Sequence, residues 1–316
     1  MSHFLEKRIL VTGGAGFIAS HLIDNLMQQG AIVHAVDDMS NGKMENISSW
    51  IDKDNFTFTE ADIRDKEAVR KLLKDVEIVF HQAAKVSVPF SVKNPYLVND
   101  VNIMGTTILL SECVKADVEK FVVASSSSVY GDTPTLPKIE TMPLDPLSPY
   151  AVSKMTQERM AIAFNSTYGL NTTALRYFNV YGPRQRGGSY AGVLSIFIRN
   201  ALKNDPLPIE GDGQQTRDFT FIDDVVQCNL LAAMKPSSEG KVYNVGAGSR
   251  ISIEDVAKEI ITITNSTSEI IFGDPRPGDV HDSLASIEAA KKDLGYSPQF
   301  TIKTGLEKTI EWYKNE

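Results

Sequence analysis

With 316 residues and 42% hydrophobic side chains, the chain is long enough to bury the core of one large α/β domain together with a smaller lobe. No run of about 18 apolar residues occurs, and the charged start of the chain leads directly into a strand pattern, which argues against a membrane span or a signal peptide and favours the cytoplasm. The net charge of -8 and the lack of a long run of Lys and Arg disfavour nucleic acid and membranes as partners, so a small molecule is expected.

The two cysteines, Cys113 and Cys228, lie far apart in sequence, and each falls in a helix-like apolar pattern. Such positions favour a packing role over a disulfide, a metal site or a nucleophile. We expect no redox chemistry at the cysteines and no metal.

The first predicted elements form a β-α-β unit. Apolar periodicity predicts a strand over 8–12, a helix over 17–29 and a second strand over 31–38, with Gly30 where a helix C-cap belongs. The alternation continues with strands at 56–62, 77–82, 121–125 and 172–180, and with helices at 66–74, 102–115 and 148–168.

Continuous apolar runs such as Ile78-Val79-Phe80 are typical of strands buried on both faces. The pattern therefore predicts an α/β fold with a Rossmann-type doubly wound parallel sheet over 1–181. After Gly182 the elements become short and are broken by Pro and Gly, which predicts a smaller α+β lobe over 182–316. A strand pattern at 242–245, within a return segment near 215–246, indicates that the lobe is interleaved with the first domain.

Three glycines, Gly13, Gly14 and Gly16, separate the first strand from the first helix. Because they lack Cβ atoms, backbone N–H groups can approach a pyrophosphate at the helix N-terminus. Asp37, about 20 residues later at the end of the second strand, can bind both ribose hydroxyls and would repel a 2′-phosphate. The turn therefore predicts NAD rather than NADP, with Asp38 as the alternative acid, since either carboxylate could instead cap the following turn.

A second motif begins the helix near 148. Ser148 suits the N-cap, Pro149 the first helical position, and Tyr150 and Lys154 share one face at i, i+4 spacing. A free tyrosine titrates near about 10, so a nearby cation that favours the phenolate makes it useful for proton transfer. The Tyr-x-x-x-Lys spacing alone arises often by chance, but here a run of serines, 125–128, precedes it at the carboxyl end of a predicted strand.

These motifs together resemble the extended short-chain dehydrogenase/reductase family, and within it the nucleotide-sugar 4-epimerases, over nearly the whole chain. Ala19 stands where many members have a third glycine, and alanine is small enough for the same close packing. The resemblance is carried by Thr12-Gly-Gly-Ala-Gly-Phe-Ile18, Asp37, Ala61-Asp-Ile-Arg-Asp65, His81-Gln-Ala-Ala84, the serine run, Tyr150 with Lys154, Arg176-Tyr-Phe-Asn-Val-Tyr-Gly-Pro183, Thr216-Arg-Asp-Phe219 and Pro275-Arg-Pro-Gly-Asp279.

The resemblance implies a tightly bound NAD that is recycled within the active site. The implied cofactor contacts are Gly13, Gly16, Phe17, Ile18, Asp37, Asp38, Asn41, Gly42, Asp62, Ile63, Gln82, Ala83, Ala84, Lys85, Tyr150, Lys154 and Tyr177. It also implies a homodimer, joined by the helices at 102–115 and 148–168 as a four-helix bundle.

By the same resemblance, Tyr150 takes the proton of the sugar C4 hydroxyl, and Ser126 hydrogen-bonds that hydroxyl. Ser125 and Ser127 are the alternatives to Ser126, because a hydroxyl in a serine run is often only a strand-end cap. Related dehydratases carry adjacent acidic residues in this strand and decarboxylases a glutamate; Ser127 and Ser128 occupy those places here. Simple epimerisation is therefore the expected reaction.

A UDP-sugar carries two phosphate charges, which arginines bind best. The resemblance assigns substrate contacts to Ser87, Ser126, Tyr150, Asn179, Gly192, Val193, Arg217, Arg276, Asp279 and Ser283.

Ser283 stands where members limited to plain UDP-glucose and UDP-galactose often carry tyrosine, so a 2-acetamido group would fit. We expect UDP-N-acetylglucosamine and UDP-N-acetylgalactosamine as substrates, alongside UDP-glucose and UDP-galactose. A UDP-hexuronate 4-epimerase and a non-catalytic NAD-sensing protein on the same fold are the alternatives.

Overall fold

A parallel sheet of seven strands forms the centre of the computed structural model, which describes residues 3–185, 192–274 and 281–316. The sheet consists of β1 (Arg8–Thr12), β2 (Ile32–Asp37), β3 (Phe56–Glu60), β4 (Ile78–His81), β5 (Lys120–Ser126), β6 (Thr172–Tyr177) and a late strand, β11 (Lys241–Val245). The spatial order is β3-β2-β1-β4-β5-β6-β11, and every neighbouring pair is parallel. The order reverses between β1 and β4, and doubly wound sheets bind ligands at this kind of crevice.

Helices cover both faces of the sheet. On one face, α2 (Lys66–Leu72), α5 (Thr106–Lys115) and α6 (Pro149–Tyr168) pack against side chains such as Leu10 and Val79. On the other face, α1 (Phe17–Gln28) and α8 (Ile222–Met234) pack against their neighbours Ile9 and Phe80. Successive residues of a strand point to opposite faces of the sheet. Because helices cover both faces, the side chains on each face are apolar, and the strands are continuous apolar runs in the sequence.

Three helical segments lie between β4 and α5. They are α3 (Val88–Lys93), α4 (Pro95–Asn99) and a π-helix over Asp100–Gly105. The sequence predicted one regular helix over 102–115, and that prediction was wrong for its first turn. Apolar spacing does not distinguish an i→i+5 turn from an α-helical one, and the wider turn is stabilised here by contacts to other segments.

Most elements after β6 lie outside the seven-stranded sheet and form short strand pairs and helices, which together are called the lobe below. The strands β7 (Val180–Tyr181), β8 (Leu207–Glu210), β9 (Thr216–Arg217), β10 (Thr220–Phe221), β12 (Ile251–Ser252) and β13 (Ile270–Gly273) pair as β7 with β10, β8 with β13, and β9 with β12. The helices are α7 (Val193–Lys203), α9 (Ile253–Thr264), α10 (Glu288–Leu294) and α11 (Ile302–Lys314). The predicted strand at 172–180 is split into β6 and β7, because Asn179 adopts a positive φ of 21° between them.

A buried ion pair connects the sheet to α6. Arg176 on β6 donates from Nε and Nη2 to the two carboxylate oxygens of Glu158, at 2.8 and 2.6 Å. Its Nη1 donates to the hydroxyl of Tyr130 at 2.7 Å, and that hydroxyl donates to Oδ1 of Asn244 on β11, also at 2.7 Å. The pair therefore joins β6, α6 and β11 within the core.

Among the residues that the structure describes, no helix is long and apolar enough to span a membrane. Cys113 on α5 and Cys228 on α8 are buried free thiols in the cores on opposite faces of the sheet. Burial raises the pKa of both thiols, which keeps them protonated and unreactive.

Candidate functional site

A cavity of about 1570 Å³ opens at the crevice between β1 and β4 and extends under the lobe. Most residues expected at the site line this cavity, although they are far apart in the sequence. They meet here because the carboxyl ends of parallel strands lie at one edge of the sheet. They are Gly13, Gly16, Phe17, Ile18, Asp37, Asp38, Asn41, Gly42, Asp62, Ile63, Gln82, Ala83, Ala84, Lys85, Ser126, Tyr150, Lys154, Tyr177, Asn179, Arg217 and Ser283.

Five expected substrate contacts are not brought to this cavity or lie outside the described residues. Ser87 is not among the lining residues, and its hydroxyl caps α3 by accepting the N–H of Phe90 at 3.2 Å. Gly192 and Val193 form the start of α7 and are not among the lining residues. Arg276 and Asp279 lie outside the described residues.

The glycine turn is shaped by close backbone approach. Gly13 has a φ of +68°, and a Cβ there would lie 2.9 Å from the amide nitrogen of Ala83 at the end of β4. Gly16 precedes α1 as its N-cap, and no described side chain caps the helix there. The first N–H groups of α1 are therefore open toward the cavity, as binding of a pyrophosphate requires.

The two acids after β2 have different environments. Asp37 accepts the N–H groups of Ala15 and Met39 at 3.0 and 2.9 Å, and burial raises its pKa. Asp38 forms an ion pair with Lys85, whose Nζ lies 3.1 Å from its Oδ2. A Cβ on Gly42 would come within 2.8 Å of the Asp37 carboxyl carbon, so glycine keeps the space beside that carboxylate open. The donor set and this open space fit the ribose and pyrophosphate of a dinucleotide.

Tyr150 and Lys154 lie one turn apart on α6, which begins with Ser148 as its N-cap, accepting the N–H of Ala151 at 3.1 Å. Lys154 is buried, and its Nζ donates to the carbonyl of Ala124 at 2.9 Å. Burial lowers the pKa of Lys154 to about 7. Burial also raises the pKa of Tyr150. A hydrogen bond with Ser126 acts in the opposite direction but is the smaller effect. The phenol thus needs a nearby positive charge to ionise.

The serines of the run at the end of β5 point in different directions. Ser125 donates to Oε2 of Glu158 at 2.9 Å, toward the buried ion pair. Ser126 bonds to Tyr150 and also accepts the N–H of Ser128 at 3.2 Å. Ser127 lines the cavity. The hydroxyl that meets the tyrosine is therefore that of Ser126.

Two asparagines that the sequence reasoning missed hold this site in place. Asn102, in the π-helix, accepts the N–H of Lys85 at 2.8 Å and donates to its carbonyl at 3.1 Å and to Ser153 on α6 at 2.9 Å. Asn229 on α8 accepts from Tyr177 at 2.9 Å and from Gln82 at 3.1 Å. Gly105, an isolated glycine in a helical pattern, was the available signal for an irregular helix at Asn102. No local signal indicated Asn229.

His81 is buried near Lys154, and its hydrogen bonds indicate a structural role. Its Nδ1 lies 2.7 Å from the hydroxyl of Thr12 and its Nε2 lies 2.8 Å from that of Thr106. Burial lowers its pKa to about 3, so the ring stays neutral at ordinary pH and cannot supply the cation beside Tyr150. Lys154, one turn after Tyr150 on α6, is the residue that the sequence predicts for that role.

The lobe provides the other wall of the cavity. Arg217 donates from Nη1 to the carbonyls of Thr216 and His281 at 3.0 and 2.9 Å. Ser283 is 9% exposed, and its N–H donates to the carbonyl of Thr216 at 3.0 Å. Asn179 donates from Nδ2 to the carbonyl of Asp218 at 3.0 Å. In the described residues, no cluster of His, Cys, Asp and Glu side chains could hold a metal ion.

Known proteins are similar to this chain over nearly its whole length. A UDP-glucose 4-epimerase from Mycolicibacterium smegmatis is 39% identical over 311 residues, which cover 98% of this chain and 99% of the relative. The structure of a UDP-N-acetylglucosamine 4-epimerase from Methanobrevibacter ruminantium in complex with UDP-N-acetylmuramic acid is 36% identical, with a TM-score of 0.94, and covers 98% of this chain and 99% of that one.

A UDP-glucuronic acid 4-epimerase from Bacillus cereus in complex with UDP-glucuronic acid and NAD is 34% identical, with a TM-score of 0.92 and the same coverage. The sequence model of the NAD dependent epimerase/dehydratase family matches residues 9–246. The chain therefore belongs to the NAD-dependent epimerase/dehydratase family, among the UDP-sugar 4-epimerases of the extended short-chain dehydrogenase/reductases.

Proposed function

We propose that this protein interconverts UDP-N-acetylglucosamine and UDP-N-acetylgalactosamine by inverting the sugar at C4, and that it also accepts UDP-glucose and UDP-galactose. The observation that carries the proposal is the pairing of Tyr150 with Ser126, one turn from Lys154, in the cavity that also contains the dinucleotide turn and Ser283. The residues proposed for proton transfer, for cofactor binding and for sugar specificity therefore line the same cavity.

Tyr150 is the proposed base for the C4 hydroxyl. Its buried phenol has a raised pKa, so it ionises only beside the charge of Lys154. Ser126 holds the same hydroxyl by a hydrogen bond. Bound NAD supplies the hydride acceptor and donor that the inversion needs. Because the hydride returns to the same sugar, we propose that NAD remains bound through the cycle.

Ser283 is the proposed determinant of the acetylated substrate. It lines the cavity with a small side chain, and a backbone bond to β9 fixes its segment. In Ser283→Tyr, the added ring would occupy the space proposed for the acetamido group. We expect kcat/KM for UDP-N-acetylglucosamine to fall about 100-fold or more relative to that for UDP-glucose, measured by coupled assay. Equal selectivity in the two proteins would contradict this role.

Incubation with UDP-N-acetylglucosamine and no added NAD tests the reaction itself. We expect the galacto product from wild type and a bound NAD in the purified protein. Tyr150→Phe should lose turnover and keep its fold, because only the hydroxyl is removed. An inactive wild type that retains the nucleotide supports the NAD-sensing alternative, and a preparation without NAD contradicts tight binding.

A UDP-hexuronate is the second candidate substrate. Lys138 lines the cavity and is 3% exposed, and its Nζ donates to the carbonyl of Thr133. A sugar carboxylate would add a counter-charge to this ammonium. The same assay with UDP-glucuronate decides between them: turnover that exceeds that of the acetylated sugar and falls in Lys138→Met favours the uronate.

We also propose a homodimer. Apolar side chains are exposed on the helices expected to pair, including Met104 at 51% and Val152 at 38%, with Tyr96 at 83% on α4 beside them. A second copy of α5 and α6 would cover them. Sedimentation should give a dimer for wild type and a smaller species for Val152→Glu; a monomeric wild type contradicts the proposal.

The cytoplasm is the proposed location, because both thiols are buried and unpaired. Fractionation of cells that express the chain tests this. Enrichment in a membrane or secreted fraction would contradict it.

A further inference from the structure

One wall of the cavity is assembled from segments that are distant in sequence: β9 with Arg217, the turn at Asn179, and the segment that carries Ser283. Asp218 lies directly behind this wall. Its side chain is 0% exposed, and it is not among the described residues that line the cavity. A buried carboxylate in this position requires a physical reason, because burial of an unpaired charge is costly.

Backbone N–H groups from two other segments satisfy the Asp218 carboxylate. Its Oδ1 accepts the N–H of Ala247 at 2.8 Å, and its Oδ2 accepts those of Gly248 and Ala285, both at 3.1 Å. Its backbone carbonyl accepts the Nδ2 of Asn179 at 3.0 Å. One residue thus joins the turn after β11, the segment around Ser283 and the turn after β6.

The contact to Ala285 extends a pairing that already exists between the same two segments. Thr216 donates its N–H to the carbonyl of His281 at 3.1 Å, and Ser283 donates its N–H to the carbonyl of Thr216 at 3.0 Å. Asp218 lies two residues after Thr216, and Ala285 lies two residues after Ser283. The Asp218 side chain therefore holds the segment of Ser283 beside Arg217.

The packing around this carboxylate leaves little space. A Cβ on Gly246 would lie 2.9 Å from Oδ2 of Asp218 and 2.5 Å from the Cβ of Ala285. The turn after β11 can approach the carboxylate this closely only without a side chain at position 246. The three N–H bonds and this approach fix the distance between the two segments.

We propose that Asp218 is the positioning residue of the nucleotide-sugar wall, setting Arg217, Ser283 and Asn179 in the geometry that binds the uridine diphosphate portion of the substrate. This inference rests on the proposed function. Asp218 is not a catalytic residue, because its carboxylate is directed at backbone N–H groups. Its loss should therefore act on binding and leave the chemistry at Tyr150 intact.

Asp218→Asn is the sharpest variant, because it keeps the shape and replaces one acceptor oxygen with an NH₂ donor. In either orientation of the amide, at least one backbone N–H then faces another donor. We expect the affinity for UDP to fall about tenfold, since a buried donor is left without an acceptor. KM for the UDP-sugar should rise by a similar factor, with kcat within about twofold and bound NAD unchanged.

Asp224→Asn is the matched control. Asp224 on α8 is also buried, and its carboxylate accepts the N–H groups of Gln299 and Phe300 at 2.7 and 3.3 Å, but it does not line the cavity. Titration calorimetry with UDP on wild type and both variants, together with unfolding curves, separates binding from general loss of stability. We expect Asp224→Asn to lower stability and to leave UDP affinity unchanged.

Wild-type UDP affinity in Asp218→Asn, or an equal loss of affinity in Asp224→Asn, would overturn the inference. If Asp218→Asn does not fold, Gly246→Ala places a methyl group against the same carboxylate, and unchanged UDP affinity there overturns it as well. Wild type that binds UDP but epimerises no sugar contradicts the proposed function alone, and the UDP titration still tests Asp218. Wild type that does not bind UDP contradicts both.

Discussion

The environment of Lys154 shows how a single residue is prepared for chemistry at a cost to stability. Its buried ammonium donates to the carbonyl of Ala124, and burial lowers its pKa from 10.5 to about 7. Tyr150 beside it resists ionisation for the same reason, because burial disfavours the phenolate. Perturbed groups of this kind concentrate at functional sites, so the pair supports the assignment of the base.

Lys154→Met should separate catalysis from stability. The unfolded chain binds more protons at this lysine than the folded one between about pH 7 and 10.5, so its contribution to the free energy of unfolding is smallest below pH 7 and rises with pH above it. Urea unfolding at pH 6.5 and 9 should show that wild type gains stability relative to the variant at the higher pH. We expect kcat to fall about 100- to 10,000-fold in the variant.

Lys53→Met is the control, because Lys53 is an exposed lysine outside the site. It should match wild type in kcat and in the dependence of stability on pH. An equal difference between wild type and Lys154→Met at both pH values would show that Lys154 does not titrate near 7.

At the scale of elements, the turn between β1 and α1 combines a backbone requirement with a spatial one. Gly13 has a positive φ, as does Gly169, the C-cap of α6. A side chain at Gly13 would also collide with the backbone at the end of β4, whereas nothing lies within 4 Å of a Cβ at Gly169. A substitution at Gly169 therefore introduces conformational strain alone, whereas one at Gly13 also fills space at the cofactor turn.

Gly13→Ala should destabilise the protein and abolish retention of NAD. Gly169→Ala should cost about 1–2 kcal/mol of stability, the penalty for a left-handed alanine, and retain NAD. The comparison requires thermal unfolding and the NAD content of both purified variants. Full NAD content in Gly13→Ala would contradict the assignment of this turn.

At the scale of the whole molecule, the buried pair of Arg176 and Glu158 connects the sheet to the lobe. Through Tyr130 it reaches Asn244 on β11, whose Nδ2 donates to the carbonyls of Lys138 and Ser286 at 2.9 and 3.1 Å. The cavity lies among these same segments. Its shape consequently depends on core contacts outside the lining.

Arg176→Met should lower the free energy of unfolding by about 3–5 kcal/mol, because Glu158 would remain as an uncompensated buried charge. Adding Glu158→Gln should recover part of this loss. A double-mutant cycle in urea measures the coupling between the two residues. Additive losses would show that the pair makes no net contribution beyond its separate packing.

Local patterns in the sequence were sufficient for the sheet and the cofactor turn. Continuous apolar strands, Gly30 at the end of α1, the glycines before Phe17 and the Pro149–Lys154 motif each depend on residues close together along the chain. Strand and helix periodicity, caps and turns are short-range effects, and so the positions of β1, α1, β5 and α6 could be read directly.

Only the tertiary structure decided how distant segments meet. The choice of Ser126 over Ser125 depends on the directions of two side chains at the end of β5, and the place of Asn229 depends on α8 packing against the sheet. The π-helix that carries Asn102 likewise depends on contacts between distant segments, because Asn102 bonds to Lys85 and to Ser153. The sequence alone determined the chemistry available to this protein, and the fold decided which of those groups share a cavity, because hydrogen bonds and packing between distant segments leave no periodic signal along the chain.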